Sequence, residues 1–470
     1  MFFQSPTFLY LFLPMTLAVY YACRRWPTVR DTWLFTASLG FYAWGEPQFV
    51  IALIASLFVN FTAAKQIQDN RLPRLWLTLA ISFDLGLLLV FKYLAFFADS
   101  LGVIGIPVKV PVLPLPLAIS FVTFQAISYI VDVYRKAVPA ERNLLHYGLY
   151  AFLFPHLIAG PIVRYADLAE QLHGREHTLD RFADGVRRFI LGLAKKLLLA
   201  DSFAITADIA FRLPPDQLSA GAAWLGAVCY SLQIYFDFSG YSDMAIGLGR
   251  MFGFEFAENF KHPYAAASIT DFWRRWHISL SSWFRDYVYI PLGGNRVSSL
   301  RVYINLLIVF ILCGFWHGAN WTFLAWGLYH GVWLIIERLG WLRLLNHLPV
   351  IVRHLLTLAI VLCGWVLFRA ESFHQAGAYF RSMFGLTAGS HSFTDLLSKR
   401  LTFLLPIGLV ACLPVVPWLR EQWSRLPAMP AQYARVIFAP LEPLLLLGVL
   451  FLVEAWVAGG TYAAFIYFRF

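Results

Sequence analysis

Charged side chains are scarce in this sequence. Only 14% of its 470 residues are Asp, Glu, Lys or Arg, whereas 59% are hydrophobic. A typical soluble domain carries about 25% charged residues. This scarcity excludes a string of soluble domains, which the length alone would favour. The repeated apolar runs instead predict a single polytopic membrane domain spanning residues 1–470.

Cysteine is also rare. The five cysteines all lie in or beside apolar runs, at spacings that no metal site or disulfide framework uses: Cys23, Cys229, Cys313, Cys363 and Cys412. Such cysteines are typical of small buried hydrophobic side chains. We therefore expect neither disulfides nor a bound metal.

The start of the chain lacks a basic region and a small-residue cleavage motif, two features of a secretory signal. We therefore expect the apolar run near 7–23 to be retained as a first membrane helix.

The net charge of +10 raises the question of nucleic-acid binding. In membrane proteins, however, Lys and Arg collect in cytoplasmic loops. The loops near 24–31, 65–74 and 134–143 are basic, and less charged loops alternate with them. This alternation predicts an N-terminus outside the membrane, and we expect no nucleic-acid partner.

Apolar runs long enough to cross a bilayer predict an all-α bundle of roughly eleven to thirteen transmembrane helices. The runs lie near 7–23, 32–45, 48–64, 75–97, 113–133, 219–236, 302–316, 320–337, 351–368, 401–417 and 436–456. Residues 141–211 are less regular. Prolines and glycines inside the apolar run 145–165 predict a broken, re-entrant segment. The apolar spacing within 180–200 predicts a helix that enters from the cytoplasmic interface. Residues 255–301 are aromatic but too polar to cross, so we expect short helices in the cytoplasmic interface.

His317 is the first candidate for chemistry, because an imidazole at membrane depth is costly and usually serves a function. It lies between two long apolar runs, and the turn-prone residues Gly318, Ala319 and Asn320 follow it. These small residues leave room beside the ring. An ordinary pKa of about 6.5 suits a general base that takes a hydroxyl proton. The alternative is a structural histidine hydrogen-bonded inside the bundle.

His277 is the second candidate. It lies in a polar, aromatic segment, four residues after Trp273, so a helix would place both side chains on one face. One interpretation is a polar group that orients the donor or the base. The residues alone favour the other, an interfacial histidine in an aromatic belt.

Two carboxylates, Asp237 and Asp243, bracket the Ser239-Gly240 pair, where we expect a turn. A proton relay is one interpretation. The favoured one is structural, since such carboxylates commonly cap helices and pair with arginines.

Cationic residues concentrate in the interfacial segment: Lys261, Arg274, Arg275, Arg285, Arg296 and Arg301. They are suited to the phosphates of a nucleotide-bearing donor such as coenzyme A. Binding of anionic lipid explains them equally well.

Long blocks of this sequence resemble the membrane-bound O-acyltransferase family, in particular its alginate O-acetylase branch. The blocks are PLPLAISFVTFQAISYIVDVYR (114–135), FPHLIAGPIVRY (154–165), QIYFDFSGYSDMAIGLGRMFGF (233–254), NFKHPYAAASITDFWRRWHISLSSWFRDYVYIPLGGNR (259–296), GFWHGANWTFLAWGLYHG (314–331) and WVLFRAESFHQAGAYFRSM (365–383). The resemblance implies a helical bundle around a central tunnel, with a catalytic core at about 114–331. It also implies catalytic roles for His317 and His277. For binding of substrate or donor we expect Trp273, Arg274, Arg275, Trp316, Asn320, Asp237 and Ser239.

The function implied by this resemblance is acetyl transfer from a cytoplasmic donor, acetyl-CoA or a similar compound, across the bacterial inner membrane to an exopolysaccharide such as alginate. The donor is a substrate, and we expect no bound cofactor. The implied partners are the lipid bilayer, an extracytoplasmic SGNH-type acetyltransferase and a polysaccharide synthesis or secretion complex. Acetylation of peptidoglycan or another cell-wall polymer, a glycan transporter or flippase, and a non-catalytic scaffold remain as alternatives. Donor hydrolysis that depends on His317 distinguishes an enzyme from the last two.

Overall fold

The computed structural model describes residues 1–111, 113–214, 216–424 and 441–459. These residues form helices joined by loops, with one isolated β-bridge between Leu218 and His391. The predicted all-α fold is therefore confirmed for the described residues. The span predicted near 436–456 begins among residues 425–440, which lie outside the described residues, and its remainder belongs to the helix Leu441–Ala458.

The chain divides into two compact units. The first comprises Met1–Phe189 and Ser242–Glu258. Its helices are Thr7–Phe12, Leu13–Ala22, Pro27–Gly45, Pro47–Phe49, Val50–Gln68, Pro73–Leu88, Leu89–Tyr93, Leu94–Val103, Ile119–Tyr134, Leu144–Phe152, Phe154–Leu157 and Tyr165–His173. Several begin at proline, because proline is pre-organised for a first helical turn and lacks the N–H that this turn leaves unpaired.

The segment 144–173 of this unit is a broken helix, as predicted. The helix Leu144–Phe152 ends at Leu153, whose ψ of 115° is not helical, and only the single turn Phe154–Leu157 follows before the next loop. Four buried tyrosines pack around the break, with ring centroids 4.7–6.2 Å apart: Tyr129, Tyr147, Tyr150 and Tyr165. The aromatic packing stabilises a backbone that the helix alone does not hold.

The second unit comprises Ile190–Tyr241 and the described residues from Asn259 onward. Two helices contribute residues to both units, Leu179–Ala194 and Ala220–Met251. The remaining helices of the second unit are Lys195–Ala200, Asp201–Arg212, Pro263–Ala265, Ile269–Arg275, Ile278–Phe284, Arg285–Tyr289, Ser299–His317, Trp321–Ile336, Glu337–Trp341, Leu342–Asn346, Val350–Arg369, Phe373–Met383, Phe393–Leu396, Lys399–Ala411, Val415–Ser424 and Leu441–Ala458. The predicted short helices within 255–301 are thus confirmed.

A tight helical hairpin, Ser299–His317 followed by Trp321–Ile336, forms the centre of the second unit. Two glycines let its backbones touch. A Cβ at Gly314 would lie 2.2 Å from the carbonyl oxygen of Phe323, and one at Gly327 would lie 2.1 Å from that of Phe310. Small residues at such crossings are typical of helix pairs inside membranes.

Five described helices have the length and hydropathy to cross a membrane: Pro47–Gln68, Pro73–Val103, Ser299–His317, Val350–Arg369 and Leu441–Ala458. The shorter apolar helices Thr7–Ala22 and Ile119–Tyr134 accompany them. The other described helices are too short, are interrupted or carry charged residues, so length and composition alone do not assign them. The count of eleven to thirteen crossings therefore stays a prediction, as does the single domain spanning residues 1–470.

Candidate active site

His317 is the last residue of the first hairpin helix. The helix ends there because Gly318 is extended, with φ −168° and ψ 150°. Asn320 then begins the second helix, and its side-chain oxygen accepts a hydrogen bond from the Thr322 amide at 3.1 Å. The turn between the helices is therefore only three residues long. It fixes His317 at the end of a rigid hairpin, where its side chain is 4% exposed.

Three aromatic rings surround the His317 imidazole in edge-to-face contact. The ring centroids of Trp316, Trp326 and Phe368 lie 4.8, 5.1 and 5.2 Å from that of His317. Edge-to-face packing of this kind restricts the imidazole to a narrow range of orientations. The cage also excludes water, which strengthens any electrostatic interaction made by a reacting group beside it.

His277 is fully buried and lies at a break between two short helices, Ile269–Arg275 and Ile278–Phe284. Its φ of 45° is in the left-handed region, so the helix cannot continue through it. The prediction that Trp273 and His277 share one helical face is therefore wrong. The helix stops because Trp276, at its end, packs into a ring cluster with Trp365 at 4.8 Å and leaves the helical conformation.

The tautomer of His277 follows from its neighbours. The Asn259 side-chain oxygen accepts hydrogen bonds from the Ser279 amide at 3.3 Å and the Ser279 hydroxyl at 2.9 Å, which identifies it as the oxygen. His277 Nδ1 lies 3.2 Å from the same oxygen and must therefore donate. Nε2 is then the unprotonated nitrogen, and it makes no hydrogen bond to the described part of the chain. Burial lowers the pKa of His277 to about 3, so the ring is neutral at physiological pH.

Trp316 joins the two predicted histidines. Its ring centroid lies 6.1 Å from that of His277 and 4.8 Å from that of His317. The structure therefore brings His277, His317 and Trp316 together, although forty residues separate the histidines in sequence. One face of this site is closed by Phe238, whose ring meets His277 edge-on at 4.6 Å.

Sequence reasoning missed a third buried histidine, His330. The Trp273 indole N–H donates to His330 Nδ1 at 3.4 Å, and Trp326 lies 5.2 Å from His330 on one side and 5.1 Å from His317 on the other. Gly364 makes room for the ring, because a Cβ there would lie 2.8 Å from Nε2. The signal was available, since His330 also interrupts an apolar run and meets the same criterion as His317.

A cavity of about 480 Å³ lies beside Trp273, and neither His277 nor His317 lines it. Its wall includes Trp273 and Cys313, the latter one helical turn before His317 on the same helix. Three arginines also line it: Arg274, Arg285 and Arg338. All three are exposed, and Arg285 also forms an ion pair with Asp286 at 2.6 Å. The arrangement is a largely apolar chamber with cationic groups in its wall.

Not all predicted binding residues lie at this chamber. Arg275 forms an ion pair with Asp271 at 2.8 Å and does not line the cavity. Asn320 caps a helix and also donates to the Glu371 carbonyl oxygen at 3.1 Å. Trp273 and Arg274 do line the cavity, and Trp316 contacts both catalytic candidates.

Asp237 belongs to a buried ion cluster. Lys196 Nζ lies 2.9 Å from the Asp237 carboxylate and 2.7 Å from that of Asp201, with all three side chains at most 5% exposed. The structural interpretation therefore fits Asp237, with a lysine in place of the expected arginine. Ser239 is buried two residues later, and its hydroxyl has no hydrogen-bond partner within the described residues.

The predicted turn at Ser239-Gly240 is wrong, because the helix Ala220–Met251 runs through it without a break. Gly240 serves a close helix contact instead. A Cβ there would lie 2.8 Å from the Gly192 carbonyl oxygen. Asp243, on the same helix, forms an ion pair with Arg188 at 2.9 Å, as the structural interpretation predicts.

Glu337 holds the short helix Ile269–Arg275 in place. Its buried carboxylate accepts hydrogen bonds from the Ile269 amide at 2.5 Å, the Thr270 amide at 2.9 Å and the Thr270 hydroxyl at 2.6 Å. The carboxylate thereby pairs amides that the first helical turn leaves open. Because Glu337 directly follows the second hairpin helix, it ties Trp273 and Arg274 to the hairpin.

Replacing Glu337 with alanine is expected to lower both the melting temperature and activity, since three donors lose their acceptor. Glu337→Gln retains one acceptor oxygen, so it should keep a higher melting temperature and more activity than Glu337→Ala. The comparison is made by thermal unfolding and acyl transfer of purified variants, with the exposed Glu170→Ala as the control. Equal behaviour of Glu337→Ala and Glu170→Ala would show that the helix needs no anchor.

His277 gives a second comparison. Asparagine at this position retains a polar group and tolerates positive φ, so His277→Asn should keep more activity than His277→Leu. His262 also has a positive φ, of 46°, which makes His262→Leu a control for backbone strain alone. We expect His262→Leu to remain active. Wild-type activity in His277→Leu would exclude a role for the imidazole.

Five described helices long and apolar enough to cross a bilayer are typical of a multi-pass membrane protein, and a buried histidine pair in such a protein is suited to catalysis. The comparisons with known proteins specify it further, because the profile of MBOAT, the membrane-bound O-acyltransferase family, matches residues 135–368. The chain belongs to this family, as the sequence blocks predict. It is an O-acyltransferase and lies in a lipid bilayer.

Similarity to individual relatives extends over most of the chain. The chain is 47% identical to the probable alginate O-acetylase AlgI of Azotobacter vinelandii, over 86% of this chain and 82% of the relative. It is 45% identical to the probable alginate O-acetylase AlgI of Pseudomonas aeruginosa, over 86% of this chain and 78% of the relative. The peptidoglycan O-acetyltransferase of Helicobacter pylori is 38% identical to the chain, over 83% of this chain and 80% of the relative.

Proposed function

We propose that this O-acyltransferase takes acetyl from a cytoplasmic donor and passes it across the bacterial inner membrane for O-acetylation of an exopolysaccharide, with alginate as the first candidate. The observation that carries the proposal is the buried pair of histidines on either side of Trp316. A cavity with cationic groups reaches Trp273 and Cys313 in the same unit. The choice of alginate rests on relatives named for alginate O-acetylation, which are 45–47% identical to this chain.

Acetyl transfer at this site follows from the chemistry of a thioester donor. His317 acts as general base and removes the proton of an acceptor hydroxyl as its oxygen attacks the acetyl carbonyl. The new C–O bond forms, the C–S bond breaks, and the proton passes from the imidazole to the leaving thiolate. His277, neutral and held by Asn259, orients the reacting groups through the free lone pair of Nε2.

Acetyl-CoA is the proposed donor, as a substrate and not a bound cofactor. Its slender apolar arm suits the aromatic and aliphatic wall of the cavity, and its phosphates suit the exposed cations Arg274 and Arg338. Trp273 stands between this cavity and His330. The acetyl end of a donor bound in this way points toward the ring cluster that holds His317.

A further step outside the cytoplasm is required if the polymer is acetylated there. A charged donor of this size does not cross a bilayer, whereas an acetyl group can be handed on through the protein. We propose that an extracytoplasmic SGNH-type acetyltransferase receives it, as part of a polysaccharide synthesis or secretion complex.

Complementation tests the assignment. The chain is expressed in an alginate-producing bacterium that lacks its own alginate O-acetylase, and the ester content of secreted alginate is measured. We expect acetylation to be restored, and a Glu170→Ala chain to restore it equally. Full expression in the membrane with unacetylated alginate would contradict alginate as the substrate.

Peptidoglycan is the second candidate, because the relative from Helicobacter pylori is named for its acetylation. The same experiment in a strain lacking peptidoglycan O-acetyltransferase separates the two polymers. We expect the chain not to restore peptidoglycan acetylation in that strain. If it restored acetylation of peptidoglycan and not of alginate, peptidoglycan would replace alginate as the proposed substrate.

A further inference from the structure

Three side chains of the first unit bring one carboxylate and two imidazoles together. His173 Nε2 lies 3.2 Å from Glu141 Oε2, and His146 Nδ1 lies 3.9 Å from the same oxygen. The three candidate ligand atoms all lie within 4.8 Å of one another. The two imidazole rings meet edge-to-face at 4.8 Å. Acyl transfer as proposed above uses none of these residues.

The fold holds the carboxylate of Glu141 in a fixed orientation. Its backbone amide donates to the Tyr129 hydroxyl at 2.9 Å. One carboxylate oxygen accepts from the Asn143 amide at 2.8 Å, and the other accepts from the Tyr165 hydroxyl at 2.8 Å. The second oxygen is the one that faces both histidines. Hydrogen bonds to a ligating carboxylate are a recurrent feature of metal sites.

The hydrogen bonds from Asn143 and Tyr165 are neutral, and no Lys or Arg ion pair balances the Glu141 carboxylate within the described residues. Glu141 is 5% exposed, and its ion-pair partners within the described residues are the two histidines alone. His146 Nδ1 is buried and has no hydrogen-bond partner among those residues. Burying a carboxylate and an open imidazole nitrogen is costly unless something neutralises the first and fills the second. A divalent cation does both at once.

We propose that Glu141, His146 and His173 form a binding site for a divalent transition-metal ion, with Zn²⁺ as the best match. Two imidazoles and one carboxylate are a known ligand set for zinc, with bond lengths of about 2.0–2.2 Å. A tetrahedral site then needs donor atoms roughly 3.4 Å apart. The separation of His173 and Glu141 already fits, whereas the ligand atoms of the cluster lie up to 4.8 Å apart, so His146 must move toward the other two by roughly 0.5–1.5 Å. The His173 side chain is 59% exposed, so water can reach the fourth position.

The site joins three pieces of the broken segment. Glu141 precedes the helix Leu144–Phe152, His146 lies in its first turn, and His173 is the last residue of the helix Tyr165–His173. A bound ion therefore links the start of one helix to the end of another, across a stretch that has little regular structure of its own. Its expected role is structural, to stabilise this segment.

Zinc titration of the full-length chain, purified in detergent without a polyhistidine tag, tests the proposal. Competition with a chromophoric chelator measures affinity and stoichiometry, and thermal unfolding measures stabilisation. We expect one zinc ion per chain and a higher melting temperature when zinc is present. His173→Ala, which alters a largely exposed side chain, should weaken binding by more than about 100-fold, and Tyr165→Phe by about 10–100-fold.

Two further variants make the result decisive. Glu141→Gln removes the charge at nearly constant volume and should also abolish tight binding. His374→Ala removes an exposed histidine elsewhere and should bind zinc like the unmodified chain. Equal zinc affinity in the unmodified chain, His173→Ala and Glu141→Gln would overturn the proposal. Binding no tighter than millimolar in the unmodified chain would overturn it as well.

Discussion

Replacing His317 with alanine is expected to reduce acetyl transfer by about 10²–10⁴-fold, the usual cost of losing a general base. The helical hairpin should stay intact, because its packing depends on Gly314 and Gly327 and not on the imidazole. The measurement is acetyl release from acetyl-CoA by purified protein, together with the acetyl content of the polymer in complemented cells.

His347→Ala is the matched control for this prediction. His347 is exposed, and its Nδ1 atom lies 2.7 Å from the Arg343 carbonyl oxygen, in a loop after the hairpin. We expect this variant to be fully active. The assignment of His317 as the base would be wrong if His317→Ala kept more than about a tenth of the activity, with a normal melting temperature.

Replacing Gly314 with alanine, which adds a single methyl group, is expected to reduce acetyl transfer nearly as much as His317→Ala does. A Cβ there would lie 2.2 Å from the Phe323 carbonyl oxygen, so Gly314→Ala must push the two hairpin helices apart. His317 follows three residues later on the same helix and moves with it. A displacement of about 1 Å at a catalytic group can cost roughly 100-fold in rate. We expect a loss of that size, with a lower yield of folded protein.

Gly448→Ala provides the control for Gly314→Ala, because nothing lies within 4 Å of a Cβ at Gly448. Alanine also favours a helix more than glycine does, so this variant should be as stable as the unmodified chain or more so. Comparable activities for Gly314→Ala and Gly448→Ala would show that the hairpin contact does not position His317.

The candidate site could be proposed from the sequence because its signal is local. An imidazole between two apolar runs identifies His317 without knowledge of any neighbour. His330 satisfies the same criterion, but its importance depends on contacts with Trp273 and Trp326 that only the folded chain reveals. Its place in the cluster was therefore not predictable from spacing.

The two wrong predictions of local structure share a physical cause. Around His277, a helical spacing was overridden when Trp276 packed into a ring cluster and the backbone turned left-handed. At Gly240, a turn-forming residue was used for close contact with a second helix, whose Gly192 carbonyl leaves no room for a side chain. In both cases the backbone conformation was determined by tertiary packing and not by local propensity.

Membrane crossings were predictable where an apolar run was long and free of charge, as in Val350–Arg369. Burial of a helix was not predictable where a buried ion pair lies inside it. Lys196 makes such a pair with Asp237, and the resulting segments look too polar to be buried until the partners are known.

Sealed vesicles give the most direct test of the central claim, that acetyl from a cytoplasmic donor crosses the membrane through this protein. Vesicles containing the chain receive labelled acetyl-CoA on the side that corresponds to the cytoplasm, and an acetyl-accepting partner or glycan is enclosed on the other side. We predict labelled acceptor inside the vesicles with the unmodified chain and none with His317→Ala. Label that appears only when the donor is enclosed with the acceptor would contradict transfer across the membrane.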